Sequence, residues 1–280
     1  MDAFFLAMLG NVVLTAAAVF LIFDPGGLFG GDDDDDNDDA DTFSEIEEEE
    51  VDESSQSTIL TDDDDAFTGT EGADTVSAGA GDDVVLGVDG DDLLFGGDGN
   101  DFVDGGAGSD SLNGNLGDDL LVGGDGDDFI EGGSGTDTIR GEAGDDVIVS
   151  DRLGEDAAFE RGEGETLSGG DGDDVVIMST GDTASGGEGT DRFGVVVASG
   201  EDPAVIEDFD CDVETLTLYY NPDDYNGDTP AVSLSVDEEG DTTQVLLNNQ
   251  QVVTLNGQHQ MSPEEIALLP EDQLVLPSAS

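Results

Sequence analysis

Nine aspartates recur at every ninth residue between Gly69 and Val149: Asp74, Asp83, Asp92, Asp101, Asp110, Asp119, Asp128, Asp137 and Asp146. Each stands two residues after a glycine (Gly72, Gly81, Gly90, Gly99, Gly108, Gly117, Gly126, Gly135, Gly144) and two before an aliphatic residue (Val76, Val85, Leu94, Val103, Leu112, Leu121, Ile130, Ile139, Ile148). A carboxylate at a fixed distance from glycine is oxygen chemistry. Glycine permits a tightly wound backbone whose carbonyl oxygens turn toward one point, and the aspartate adds carboxylate oxygens. Six to eight oxygens around a hard cation is the donor set of Ca²⁺, and no soft nitrogen or sulfur ligand competes. The expected side-chain ligands are these nine aspartates, with Asp174 and Asp191 from two later copies of the pattern. Carbonyls at Gly81, Gly90, Gly99, Gly108, Gly117, Gly126, Gly135 and Gly144 are expected to complete the sites.

The elements that position such ligands follow from the period. Residues 69–149 divide into nine nonapeptides, from GTEGADTVS and AGAGDDVVL to GEAGDDVIV, and a fixed period marks a repeat architecture. The last three residues of each alternate out, in, out as a short strand does, so the aliphatic side chain at position eight points inward. One nonapeptide makes a loop and a strand, and two make a coil of eighteen residues. Loops i and i+2 then stack about 4.8 Å apart on one edge. Nine loops so paired give at most seven full sites. Asp119 would share ions with Asp101 and Asp137, and not with Asp110 or Asp128. Position seven is often apolar as well (Val84, Leu93, Phe102, Leu120, Phe129, Val147) and should face outward, partly covered by the terminal segments. Two carboxylates about 5 Å apart repel by about 3 kcal/mol at an effective dielectric near 20. The expected behaviour is therefore unfolded without metal and folded with it.

The pattern G-G-x-G-x-D-x-U-x is similar to the RTX (hemolysin-type) calcium-binding repeat. The resemblance is close over residues 69–149 and looser over 160–194, where GGDGDDVVI begins at Gly169 and GGEGTDRFG at Gly186. It implies a parallel β-roll with Ca²⁺ ions held between stacked loops, in a protein of a kind usually exported. Departures are Ala78 for glycine at position one, and Thr70, Val88, Asn115 and Glu142 at position two.

Composition narrows the partners. The chain has 72 acidic residues against four arginines and no lysine, a net charge of −68. Repulsion excludes nucleic acid and anionic membrane surfaces, and cations are the natural counterpart. A single Cys211 allows no internal disulfide, and a single His259 leaves little room for a zinc site. Neither H-E-x-x-H nor G-x-S-x-G occurs. A non-enzymatic calcium-binding protein is the expected reading. A Ca²⁺-stiffened adhesin or matrix protein shares all its features, and an enzyme-associated repeat module is the third alternative.

In chain order, residues 1–23 are hydrophobic. The apolar run 3–23 is long enough to cross a bilayer as a helix, and reads as a membrane anchor or, alternatively, a secretory signal. Residues 24–68 form an acidic low-complexity linker. Residues 69–194 are the roll, with an inserted loop at 150–165, and residues 195–280 a small β-rich capping and secretion region. There VVVAS, AVIEDF, ETLTLYY, AVSLSVD, TTQVLL and QQVVTL read as strands. Asn248-Asn249 reads as a hairpin turn, and Ser262-Pro263 as the start of a helix running to about Leu269. The fold class is mainly β, a parallel β-roll with a C-terminal cap and an N-terminal hydrophobic helix. Extracellular calcium modules bind at about 10⁻⁴ to 10⁻³ M, so the repeats are expected outside the cytoplasm, secreted or displayed from a membrane. The resemblance also implies a type I secretion apparatus as a partner, recognising the C-terminal end.

Overall fold

The computed structural model describes residues 55–151, 164–198, 200–237, 242–256 and 261–274. The hydrophobic segment 1–23, expected as a helix, lies outside these residues, as do most of the acidic linker and most of the 150–165 insert.

The first eight nonapeptides each supply a strand of six residues, as in Val84–Asp89, Leu93–Asp98 and Phe102–Ala107, and the ninth one of five, Val147–Asp151. A strand begins at position seven and runs through position three of the next repeat, so only positions four to six turn. This is longer than the three-residue strand suggested by the pattern. The coil period sets equivalent backbone groups side by side, as at Gly79↔Gly97 and Gly97↔Asn115. The glycine-rich residues thereby find partners in a parallel ladder instead of winding into a loop.

Successive strands go to opposite sheets, giving a 10-stranded and an 11-stranded sheet among the described residues. The aliphatic residues at position eight stack into two facing rows. One runs Leu94, Leu112, Ile130, Ile148, Val176, Phe193 and Leu216. The other runs Phe67, Val85, Val103, Leu121, Ile139, Leu167, Ala184, Ile206 and Leu255. From Val85 and Leu94 onward these residues are buried. At about 1.5–3 kcal/mol per large aliphatic side chain, the two rows form the core of the roll.

Glycine is needed at the turns for space as well as for conformation. Position-four glycines from Gly81 to Gly144 have φ between 120° and 139°, and a Cβ on Gly99 would collide with the Gly81 carbonyl in the coil before it. Position two also takes positive φ. There Val88 (φ 95°), Asn115 (75°) and Glu142 (78°) stand without glycine, a strain of about 1–3 kcal/mol each.

The ladder begins before Gly69. Ser57–Ile59 pairs with the strand at Thr75, and Ala66–Thr68 with the strand at Val84. The end of the assigned linker is therefore a further nonapeptide, LTDDDDAFT, with Asp65 at position six and Phe67 at position eight. Its acidic run hides the register. At the insert the ladder continues through Thr138↔Thr166, with Glu165 at the position-six place.

The C-terminal region extends both sheets rather than forming a separate lid. Thr215–Tyr220 adds to the first sheet and is itself joined in parallel by Ala267–Pro270. Ala204–Ile206 adds to the second, followed by Gln250–Asn256, Thr242–Leu247 and Val232–Val236. Asn248 and Asn249 form the expected turn with φ 49° and 71°. The helix expected after Ser262 is a single 3₁₀ turn, Pro263–Glu265. The Glu265 carboxylate does accept the Ser262 N–H, but pairing of Ala267–Pro270 with Thr217–Tyr220 extends the chain there, and the ladder outweighs local helix propensity. On the outer face of the first sheet, Phe129, Val147, Val149, Val175, Ile177, Val196 and Tyr219 form a second apolar cluster with Leu274 of the C-terminal segment. Val84 and Leu93, farther from it, stay 40 % and 37 % exposed.

Candidate metal centre

The turns form two edges. Asp74, Asp92, Asp110, Asp128, Asp146, Asp174 and Asp191 line one, and Asp83, Asp101, Asp119 and Asp137 the other, all at most 3 % exposed. Position six is the last turn residue before each strand and points inward. Its Oδ1 accepts the backbone N–H of the position-six residue one coil earlier. Asp92 N–H donates to Asp110 at 2.7 Å, and Asp101 and Asp119 N–H donate to Asp119 and Asp137 at 2.8 and 2.9 Å. Alternate aspartates are thus joined along one edge, as the coil period requires.

The second oxygen is different. Oδ2 of Asp83, Asp92, Asp101, Asp110, Asp119, Asp128, Asp146, Asp174 and Asp191 is buried and meets no hydrogen-bond donor. Such an oxygen costs about 1–3 kcal/mol, more when charged. Burial accordingly pushes Asp110 and Asp174 up to about 6, Asp119 and Asp128 to about 7 and Asp146 to about 8, with a smaller contribution from neighbouring carboxylates. Asp74 is an exception at the start of the ladder. Its Oδ2 accepts the Thr70 N–H at 2.7 Å, and its Oδ1 the Gln56 N–H.

What faces the free oxygens is backbone. A Cβ on Gly87, at position one, would collide with both Asp92 Oδ2 and the Gly105 carbonyl oxygen. Gly105 stands in the same relation to Asp110 and Gly123, and Gly114 to Asp119 and Gly132. Each missing methyl group leaves a cradle between a carboxylate oxygen and a carbonyl of the next coil. Among the described residues no three His, Cys, Asp or Glu side chains converge as a metal cluster, so a cation here would draw on these carbonyls. An all-oxygen donor set with one net negative carboxylate per rung fits Ca²⁺. The expected position-four glycines, Gly81 to Gly144, lie in the turns beside the aspartates. The carbonyls shown to share the Oδ2 cradle are those of position one, which the sequence pattern did not single out.

Two further features escaped the pattern. Position five carries a second, exposed ladder running the opposite way, in which Asn100 N–H donates to Asp82 Oδ1 and Asp118 N–H to Asn100 Oδ1. The frequent Asp and Asn at that position were its signal. Position six is also filled outside the repeat consensus. Glu165 and Asp182 take it beside the insert, where burial and then Asp182 push Glu165 up to about 10. Glu214 takes it after Asp191, through the register Arg192↔Thr215. A groove of about 580 Å³ runs along the Asp110–Asp191 edge, lined by the aspartates of positions five and six.

The family comparison agrees with this geometry. The RTX calcium-binding nonapeptide repeat family matches in four copies, at residues 60–94, 86–121, 122–152 and 162–177. No curated protein matches the chain. Among solved structures, the crystal structure of extracellular lipase LipA from Serratia marcescens matches with 18 % identity and a TM-score of 0.21, over 76 % of this chain and 40 % of the lipase. The chain thus spans about two-fifths of that lipase's length. The chain contains RTX calcium-binding nonapeptide repeats, wound into a parallel β-roll.

Proposed function

We propose that this chain is an extracytoplasmic Ca²⁺-binding protein whose roll folds as it takes up ions, and that it is not an enzyme. The row of buried carboxylate oxygens without donors carries the reading. Such a row is costly without a counter-charge, and ions bound between coils would convert that cost into folding energy. Millimolar affinity, as in extracellular modules, would keep the chain unfolded in a low-calcium cytoplasm and fold it outside. Export through a type I secretion apparatus suits a chain that crosses unfolded, and residues 3–23 would serve as an anchor or a signal. No helix among the described residues is long and apolar enough to cross a membrane.

The test is far-UV circular dichroism of the full chain through a Ca²⁺ titration, with Mg²⁺ as control. A cooperative gain of β signal near millimolar Ca²⁺, absent with Mg²⁺, is expected. A spectrum already fully folded in chelator would remove folding on binding from the reading.

A further inference from the structure

The Asp74–Asp191 edge changes character at its last rung. Along this edge Gly87, Gly105, Gly123, Gly141 and Gly169 each face both an aspartate Oδ2 and the carbonyl of the following coil. At Gly186 the closest atoms belong to Asp191 alone, because the coil that follows is not a repeat. Asp191 is fully buried and its Oδ2 meets no N–H or O–H donor.

The C-terminal region supplies other oxygens here. Asp208 accepts the Gly186 and Gly187 N–H groups at 2.9 and 3.0 Å, fixing the chain where the next coil would have stacked. Glu214 stands at the position-six register and accepts the Asp210 N–H at 2.8 Å. Its carboxyl group also interacts directly with that of Asp191. Two buried carboxyls in contact need either a shared proton or a cation between them.

We infer that Asp191 and Glu214 bracket a terminal Ca²⁺ site, with Asp208 as a positioning residue, so that one ion clamps the C-terminal cap onto the roll. The inference rests on the calcium reading of the repeats and extends it to residues outside the repeat pattern. Glu214 thus takes the place that the next coil's aspartate holds at the rungs within the repeats.

The three tyrosines of the chain, Tyr219, Tyr220 and Tyr225, all follow Glu214 closely, and the Tyr220 and Tyr225 rings meet at 5.7 Å. Near-UV circular dichroism therefore reports the cap, while the far-UV signal reports the roll. The experiment titrates the full chain with Ca²⁺, counts bound ions by equilibrium dialysis and follows both signals. Glu214→Gln keeps an oxygen for the Asp210 N–H. It should bind one ion fewer and need about tenfold or more Ca²⁺ for the tyrosine transition, with the far-UV transition retained. An unchanged ion count and tyrosine midpoint would overturn the clamp and leave a shared proton as the link. If Glu214→Gln does not fold at saturating Ca²⁺, Glu214→Asp takes its place: a weakened last ion supports the site, an unaltered one overturns it. Wild-type chain that binds no Ca²⁺ at all would instead sink the calcium reading beneath it.

Discussion

At Gly105 the absence of one methyl group leaves room for two oxygens, Asp110 Oδ2 and the Gly123 carbonyl. Gly105→Ala should therefore remove or weaken the ion at that rung while leaving the core rows intact. Calorimetric Ca²⁺ titration is expected to show one site fewer, with the far-UV signal at saturation preserved; an undiminished count would mean the ion does not use this cradle. The chain carries the same substitution itself at another rung. Ala78 is buried at position one on the other edge, and its neighbours in the ladder place it opposite Gly96. The departure noted in the sequence thus puts a methyl group where the other repeats bring a carboxylate oxygen and a carbonyl together, and the rung at Ala78 should bind Ca²⁺ more weakly than that at Gly105. Position six was legible from the residues alone, because an aspartate recurs there in all nine repeats. The position-one carbonyl was not, because every residue has a carbonyl and only the coil geometry shows which one turns inward.

At the scale of the coil, each aspartate belongs to two rungs. Asp119 Oδ1 accepts the Asp101 N–H, and the Asp119 N–H donates to Asp137. Asp119→Ala should weaken binding at the rungs shared with Asp101 and Asp137 and spare the opposite edge, where Asp110 pairs with Asp92 and Asp128. Residue-resolved chemical shifts during a Ca²⁺ titration would read this out, and equal losses on both edges would contradict the register. The strands were only half visible in the sequence. Their outward and inward alternation at positions seven to nine follows from side-chain type. Their continuation through the glycines of positions one to three comes from pairing with the coils above and below. The C-terminal Ser-Pro-Glu-Glu signal failed for the same reason: a local helix start yields when the following residues can join a sheet edge.

The whole molecule carries a net charge of −68, and its buried carboxyls set how it responds to pH. In the metal-free roll Asp110, Asp119, Asp128, Asp146 and Asp174 titrate at about 6 to 8, against an ordinary 3.8. The folded state binds protons more tightly than the unfolded chain, so protons stabilise it. That stabilisation is fully present below about pH 4 and is lost as pH rises through about 6 to 8. In metal-free buffer the folded fraction should fall between pH 5 and 8. With Ca²⁺ present the dependence should reverse, since the ion displaces those protons and binds more tightly as pH rises. Far-UV circular dichroism at both pH values, with and without Ca²⁺, checks the sign, and a metal-free β signal that rises with pH would refute it.

By itself the sequence determined the repeat, its nine-residue phase, the inward aliphatic row and the oxygen chemistry of the turns. These are properties of residue type and spacing, which a periodic chain repeats until they are unmistakable. Only the tertiary structure decided where the ladder starts, how the insert is absorbed, which carbonyls meet the carboxylates, and that Glu165, Asp182 and Glu214 stand in for repeat aspartates. Those outcomes depend on pairing between residues about one coil or more apart. Once the neighbouring coils hold a segment in place, an irregular sequence can occupy a rung without matching the pattern that defines it.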